Sequence, residues 1–169
     1  KNIRIHVVGD LIIDTLHECE AVAGLHKSPT LSLIKKNSKS YLGGAGIVAA
    51  HFASFTKRVT LTTVLNNDRL GNLAKKFLKK YNVNLNPIYE FDRPTTEKSI
   101  YISQNHNLLK VNDVSNLPIN NLSLNKIKNK LKKNNYDILI VSDYRHGIFN
   151  KQSCSEIIKS INKKVFKVA

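Results

Sequence analysis

The chain has 169 residues, with 27 Lys and Arg against 12 Asp and Glu, a formal charge of +15 at pH 7. With 41% apolar and 23% charged residues, residues 1–169 are expected to form part of one globular domain with a real core. No run of 18 apolar residues occurs, Lys1-Asn2-Ile3-Arg4 does not open a secretory signal, and Cys19 and Cys154 make no Cys-x-x-Cys, which excludes a membrane-spanning helix, a disulfide scaffold and a thiolate zinc site. A reducing cytoplasm is the expected location.

The basic charge has a compositional cause. The chain holds 22 Lys, 20 Asn and 17 Ile but 5 Arg, the usage of an AT-rich coding sequence. Arginine is the bidentate reader of phosphate and guanine, and it is scarce. A nucleic-acid or membrane partner is not expected. There is no Met, and Val165 to Ala169 reads as a strand cut midway, so a fragment at both ends is expected.

In chain order, Ile3 to Val8 is a β-branched apolar run ending in Gly9-Asp10, the pattern of a buried strand. Leu11 to Asp14 continues extended. His17 and His26 are placed in a loop, and Leu31 to Ile34 is a weaker strand after Pro29. Gly43 to Phe55 is a predicted helix, with small Ala45, Ala49, Ala50 and Ala53 for close packing. Val59 to Val64 is a strand, Arg69 to Tyr81 a helix with Leu70, Leu73, Phe77 and Leu78 at helical spacing, and Val83 to Tyr89 a strand. Thr95 to Ser103 and Leu108 to Val111 read as a hairpin about a polar turn at residues 104–107, which includes His106. Ser123 to Lys133 is a helix, Ile138 to Val141 a buried strand, Asn150 to Ile161 a helix and Val165 to Val168 a strand. This alternation predicts an α/β fold with a mostly parallel sheet, plus a small separate sheet from the pieces that do not alternate.

Ligands of open α/β sheets gather beyond the carboxyl ends of the strands. Asp10 and Asp14 follow the first strand and could accept hydrogen bonds from ligand hydroxyls, or Asp10 could simply close a turn. Gly43-Gly44-Ala45-Gly46 opens a helix, where free N–H groups suit an anion or a polyol and glycines equally suit tight packing. Arg93-Pro94-Thr95-Thr96-Glu97-Lys98 offers two cations and two hydroxyls, to a phosphorylated ligand or to solvent. Asp143, in Ser142-Asp143-Tyr144-Arg145-His146-Gly147, ends another strand, a place for a ligand or magnesium carboxylate, or for a helix-entry turn. The six histidines show no i, i+4 pair, so no metal set is expected. Cys154 is expected to be a small, buried apolar group.

Taken in order, these segments resemble the N-terminal half of a PfkB/ribokinase-family carbohydrate kinase, and most closely the heptose-7-phosphate kinase domain of bifunctional heptose kinase/nucleotidyltransferases. The carriers are Val7-Val8-Gly9-Asp10 with Asp14, Leu42-Gly43-Gly44-Ala45-Gly46, Asn67-Asp68 with Gly71, Arg93-Pro94-Thr95-Thr96 with Lys98, Leu108-Leu109-Lys110-Val111, and Ser142-Asp143-Tyr144 with Gly147. The resemblance implies a ribokinase-like three-layer sandwich with a β lid, C-terminally truncated. It implies ATP and Mg2+ as cofactors, phosphorylation of a sugar or sugar phosphate in surface-glycan precursor synthesis, and a homodimer formed through the lid.

It also implies substrate contacts at Asp14, Gly43, Gly44, Arg93, Lys98 and Asp143, with Asp10, Ile47 and Thr96 as secondary candidates. Ile47 stands where the family usually has a sugar-binding Asn. Asn66-Asn67-Asp68 replaces the usual Gly-Asp-Asp. The catalytic base and most of the nucleotide pocket are expected beyond Ala169, so this chain alone is expected to be inactive. Two other readings stay open: a non-catalytic sugar-phosphate-binding domain and, more remotely, a basic nucleic-acid binder.

Overall fold

A computed structural model describes residues 3–22, 30–133, 135–162 and 164–169. Pro29 and His26 lie outside them. Five parallel strands form the main sheet in the order β5-β4-β1-β8-β9, from β1 (Ile5–Gly9), β4 (Val59–Leu65), β5 (Asn84–Tyr89), β8 (Ile138–Ser142) and β9 (Phe166–Val168). Every residue of the central strand β1 is buried, as expected of an apolar-rich strand covered on both faces, and His6 is buried with the rest.

Helices cover both faces. On one side α1 (Gly44–Ala53) and α2 (Arg69–Lys80) pack over Ile5, Val7, Leu61 and Leu65. Small buried Ala45, Ala49 and Ala50 let α1 lie close to the sheet. Asp68 caps α2 by accepting the Gly71 N–H at 2.6 Å, and Leu70, Ala74 and Leu78 form its buried stripe. On the other side α3 (Asn121–Lys133) and α4 (Lys151–Lys159) place Leu124, Ile127, Leu131 and Ile157 over Val8, Val64 and Leu139. Asn150 and Ser153 close a reciprocal capping box at the start of α4.

The second sheet, in the order β3-β2-β6-β7, is built from β2 (Leu11–Val22), β3 (Ser32–Gly43), β6 (Glu97–Ser103) and β7 (His106–Asp113). Gln104 and Asn105 both have positive φ and join β6 to β7 as a two-residue hairpin turn. Both β2 and β3 run to 12 residues, far longer than expected. His17 accordingly sits in β2, not a loop, hydrogen-bonded to Ser38 at 2.7 Å and stacked on Tyr101. His106 opens β7 rather than sitting in the turn. Cys154 is only partly buried, against the α3–α4 core.

One core group has a pH consequence. His6 on β1 is 1% exposed, its Nε2 lies 2.8 Å from Thr62 Oγ1, and its ring meets Tyr136 edge-on. Burial pushes its pKa down to about 4. Between about pH 6.5 and 4 the unfolded chain takes up a proton that the folded chain refuses, so stability falls as pH drops through that window. The loss is about 3 kcal/mol, at about 1.4 kcal/mol per pH unit. In urea unfolding midpoints measured from pH 7 to 4, His6→Asn should show a markedly shallower decline than wild type, whatever its stability at pH 7. Parallel declines would remove His6 as the cause.

Candidate functional site

The site lies where the lid joins the carboxyl ends of β1 and β8. Asp10 follows β1, and its backbone fixes three neighbours. Its N–H reaches Ser142 C=O at 3.1 Å, its C=O accepts the Ala45 N–H at the start of α1, and the adjacent Leu11 N–H meets Thr63 Oγ1. Its side chain is 3% exposed and accepts the N–H groups of Tyr144 at 2.9 Å and His146 at 3.2 Å. Burial raises the Asp10 pKa, and these two N–H donors oppose the rise. Of the two readings of Asp10, this geometry is the turn-closing one, joining the lid's first strand to the turn after β8.

Asp14 differs. It is exposed on β2, and among the described residues its carboxylate has no hydrogen-bond partner. It leans on the glycine turn, where a Cβ at Gly43 would overlap its carboxylate. The next residue, Gly44, has φ +53, and a Cβ there would strike the Asp10 carbonyl, so this corner requires glycine. Gly43 is also the uncapped N-cap of α1, which brings the helix's N–H end beside the carboxylate.

Strand register sets the rest of the row. Tyr41 on β3 and Lys98 on β6 are directly opposite Asp14, and Asn112 on β7 is opposite Lys98. The four residues share one face of the lid. One step outward on that face come Leu16, Lys39, Ile100 and Lys110. The Lys98 charge bears on His146 in the turn after β8 and lowers its pKa.

His146 is where these groups converge. Burial lowers its pKa first, the Lys98 charge lowers it further, and Asp10 and Asp143 pull it back. Its Nδ1 lies 2.9 Å from Asn116 Oδ1, and its buried Nε2 has no partner among the described residues. Asp143 is exposed, and its carboxylate also accepts the Arg145 N–H. It borders an open hollow of about 640 Å³ with Tyr144, Arg145, Phe149, Lys151 and Cys154.

Arg93 is already engaged. Its Nε donates to Glu90 at 3.0 Å, Nη1 to the carbonyls of Ser115 and His146 at 2.9 Å each, and Nη2 to the Leu117 carbonyl. Its side chain is 11% exposed and that of Glu90 8%. Thr96 is buried, and its carbonyl accepts the Ile13 N–H. Ile47 lies on α1 with its side chain against the apolar core. The structure therefore gathers Asp14, Gly43, Gly44 and Lys98 on one surface, while Asp143 lies in the turn after β8. Arg93, Asp10, Thr96 and Ile47 belong to the frame behind that surface.

Tyr41 and Asn112 escaped the sequence reading. Strand parity would have found Tyr41 had Leu31–Ile34 been extended through to Gly43. Among the described residues no group of three His, Cys, Asp or Glu side chains could hold a metal ion.

No family model matches the chain. In sequence it is similar to the bifunctional protein HldE of Sulfurimonas denitrificans, 30% identical over 170 residues, covering 98% of this chain and 35% of that protein. It is likewise 32% identical to the bifunctional protein HldE of Aliarcobacter butzleri, covering 99% of this chain and 36% of that one. In structure it is similar to phosphofructokinase-2 from Escherichia coli in complex with fructose-6-phosphate, with a TM-score of 0.71 at 12% identity over 98% of this chain and 54% of that one. A carbohydrate kinase from Agrobacterium tumefaciens gives 0.66 at 14% identity, over 99% of this chain and 53% of that one.

The chain has the ribokinase-like fold. The likeness to the HldE proteins and the sugar kinases, expected from the ordered motifs, is borne out over nearly the whole chain. The chain spans about a third of the length of the curated relatives it matches, and about half of these two kinases.

The turn after β8 should depend on Asp10. Asp10→Ala leaves two N–H groups without their acceptor and should cost about 2–4 kcal/mol in chemical denaturation. Asp10→Asn keeps an acceptor oxygen and should cost clearly less. Equal losses in the two variants would show that these N–H groups are not what Asp10 supports.

Proposed function

We propose that this chain is the sugar-binding half of an ATP-dependent carbohydrate kinase acting on a sugar or sugar phosphate of the heptose-7-phosphate class, in surface-glycan precursor synthesis. The observation that carries the reading is the Asp14–Lys98 pair in register on one lid face, with Asp14 against the Gly43-Gly44 turn that opens α1 next to the carboxyl end of β1. The resemblance to HldE proteins adds the substrate class.

In this reading the Asp14 carboxylate accepts hydrogen bonds from sugar hydroxyls, and the glycine turn lets the ring approach the backbone. Lys98 supplies a point charge for the substrate phosphate. Asp143 is a second acceptor across the cleft. Arg93, engaged with Glu90 and three carbonyls, serves as frame to the site. Thr96, Asp10 and Ile47 stand behind it in the same way. The lid covers the sugar and keeps water from competing as acceptor. ATP is the phosphoryl donor, and Mg2+ would accompany it. Neither is assigned a residue here, and the base that takes the acceptor proton is placed outside residues 1–169.

The test is calorimetric titration of the chain with heptose 7-phosphate, beside a phosphotransfer assay with ATP. Saturable binding without turnover is expected, weakened about 10-fold or more in Asp14→Ala, the scale of a hydrogen bond to a charged group. No binding would sink the sugar reading, and robust turnover would sink the half-site reading. A steep fall of DNA or RNA affinity with salt would favour the nucleic-acid alternative instead.

A homodimer through the lid is part of the proposal. Leu109 and Val111, in register with Tyr101 and Ser99, leave apolar surface on the lid's other face. Sedimentation should show a dimer that Leu109→Lys weakens. A monomer at all concentrations would remove the lid as an interface.

A further inference from the structure

The turn after β8 is held from two sides at a single residue. The His146 N–H goes to the Asp10 carboxylate, at the root of β2. The His146 C=O goes to the Arg93 guanidinium, at the root of β6. Both lid entries thus end on the same residue, through the two peptide units that flank its Cα, three residues from Asp143.

Arg93 also holds the lid's exit. Its other donors take the carbonyls of Ser115 and Leu117, just after β7. One planar guanidinium therefore spans the start of the β6–β7 hairpin, its end and the β8 turn. Glu90 completes the joint, accepting Arg93 Nε on one oxygen and the Asn120 N–H before α3 on the other. Gly147 shows how closely these segments cross. Its φ is +92, and a Cβ there would overlap the Leu117 carbonyl and crowd Arg93. The Ile119 N–H to Gly147 C=O bond at 3.0 Å closes the same crossing from the other direction.

We propose that Arg93, clamped by Glu90, is a positioning residue that links the position of the β6–β7 hairpin to the placement of the turn carrying Asp143. It acts through the backbone and touches no substrate. The inference rests on the sugar-site reading for its functional meaning, but the link itself is a property of the free chain. The planar fork matters, because a lysine ammonium cannot reach three carbonyls and a carboxylate at once.

The test is amide hydrogen exchange on the 169-residue chain and on Arg93→Gln, Arg93→Lys and Glu90→Gln. Without ligand, both Arg93 variants should speed exchange at Tyr144, His146 and Ile119 about ten-fold or more. The Gly71 and Thr95 amides, which donate to Asp68, and the amides of β4 should stay unchanged. Glu90→Gln should fall between. A change confined to residues 90–95, or one spread evenly over the chain in all three variants, would overturn the link.

Adding heptose 7-phosphate should slow exchange in wild type both on the β6–β7 hairpin and at residues 144–147. In Arg93→Gln the hairpin should still respond and residues 144–147 should not. Calorimetry separates this role from direct phosphate contact. The Arg93 variants should lose affinity for heptose and heptose 7-phosphate by the same factor, about 2- to 30-fold. A loss confined to the phosphorylated sugar would make Arg93 a phosphate ligand and overturn the proposal. If wild type responds to neither sugar, the sugar reading has failed, and the ligand-free exchange alone decides the link.

Discussion

The ion pair of Glu90 and Arg93 is the joint on which the site's architecture hangs. Removing two charges from water is costly, and their mutual attraction offsets that cost only when the remaining donors and acceptors are also satisfied. Here they are. The guanidinium reaches three carbonyls as well as the carboxylate, and the second carboxylate oxygen takes a backbone N–H. The three carbonyls come from segments with no regular partner in either sheet. Without Arg93 these three carbonyls would lose their shared donor.

Asp10 plays the complementary part at the other lid root. It gathers N–H groups where Arg93 gathers carbonyls, and the two meet at His146. A two-point hold on the two peptide units that flank one Cα fixes direction as well as position. The cost is visible in the raised pKa of Asp10, whose desolvation outweighs the two N–H groups that favour its charge.

The core elements were legible because burial leaves a periodic trace. The apolar-rich run of β1 is buried throughout, and of the four apolar positions of α2 at helical spacing Leu70 and Leu78 are buried while Leu73 and Phe77 pack half-buried against the same core. The lid was legible only in part. Over Leu16 to Val22 and Ser32 to Tyr41 both faces of β2 and β3 meet solvent, so hydrophobic alternation has nothing to record. Those strands are held by pairing, and pairing leaves no mark on a single strand's sequence. The same limit hid Tyr41 and Asn112, which join the Asp14 row only through register. Arg93 was legible as a cation near the site, but its partners are carbonyls, which every residue carries. No spacing could announce them.

The distribution of the arginines bears on how the surface charge should be understood. Arg93 and Arg4 both fork onto acceptors within the fold, Arg4 through two bonds to Asp137 that hold that carboxyl down at about pKa 2. The +15 charge is therefore carried chiefly by lysines, each a flexible point charge with no preferred plane. On the site-facing side of the lid the cations are Lys39, Lys98 and Lys110, and none is an arginine. A surface of that kind can neutralise a phosphate without dictating its orientation. In the proposed sugar site, orientation would then come from Asp14 and the glycine turn, which are fixed to the core through Asp10 and α1.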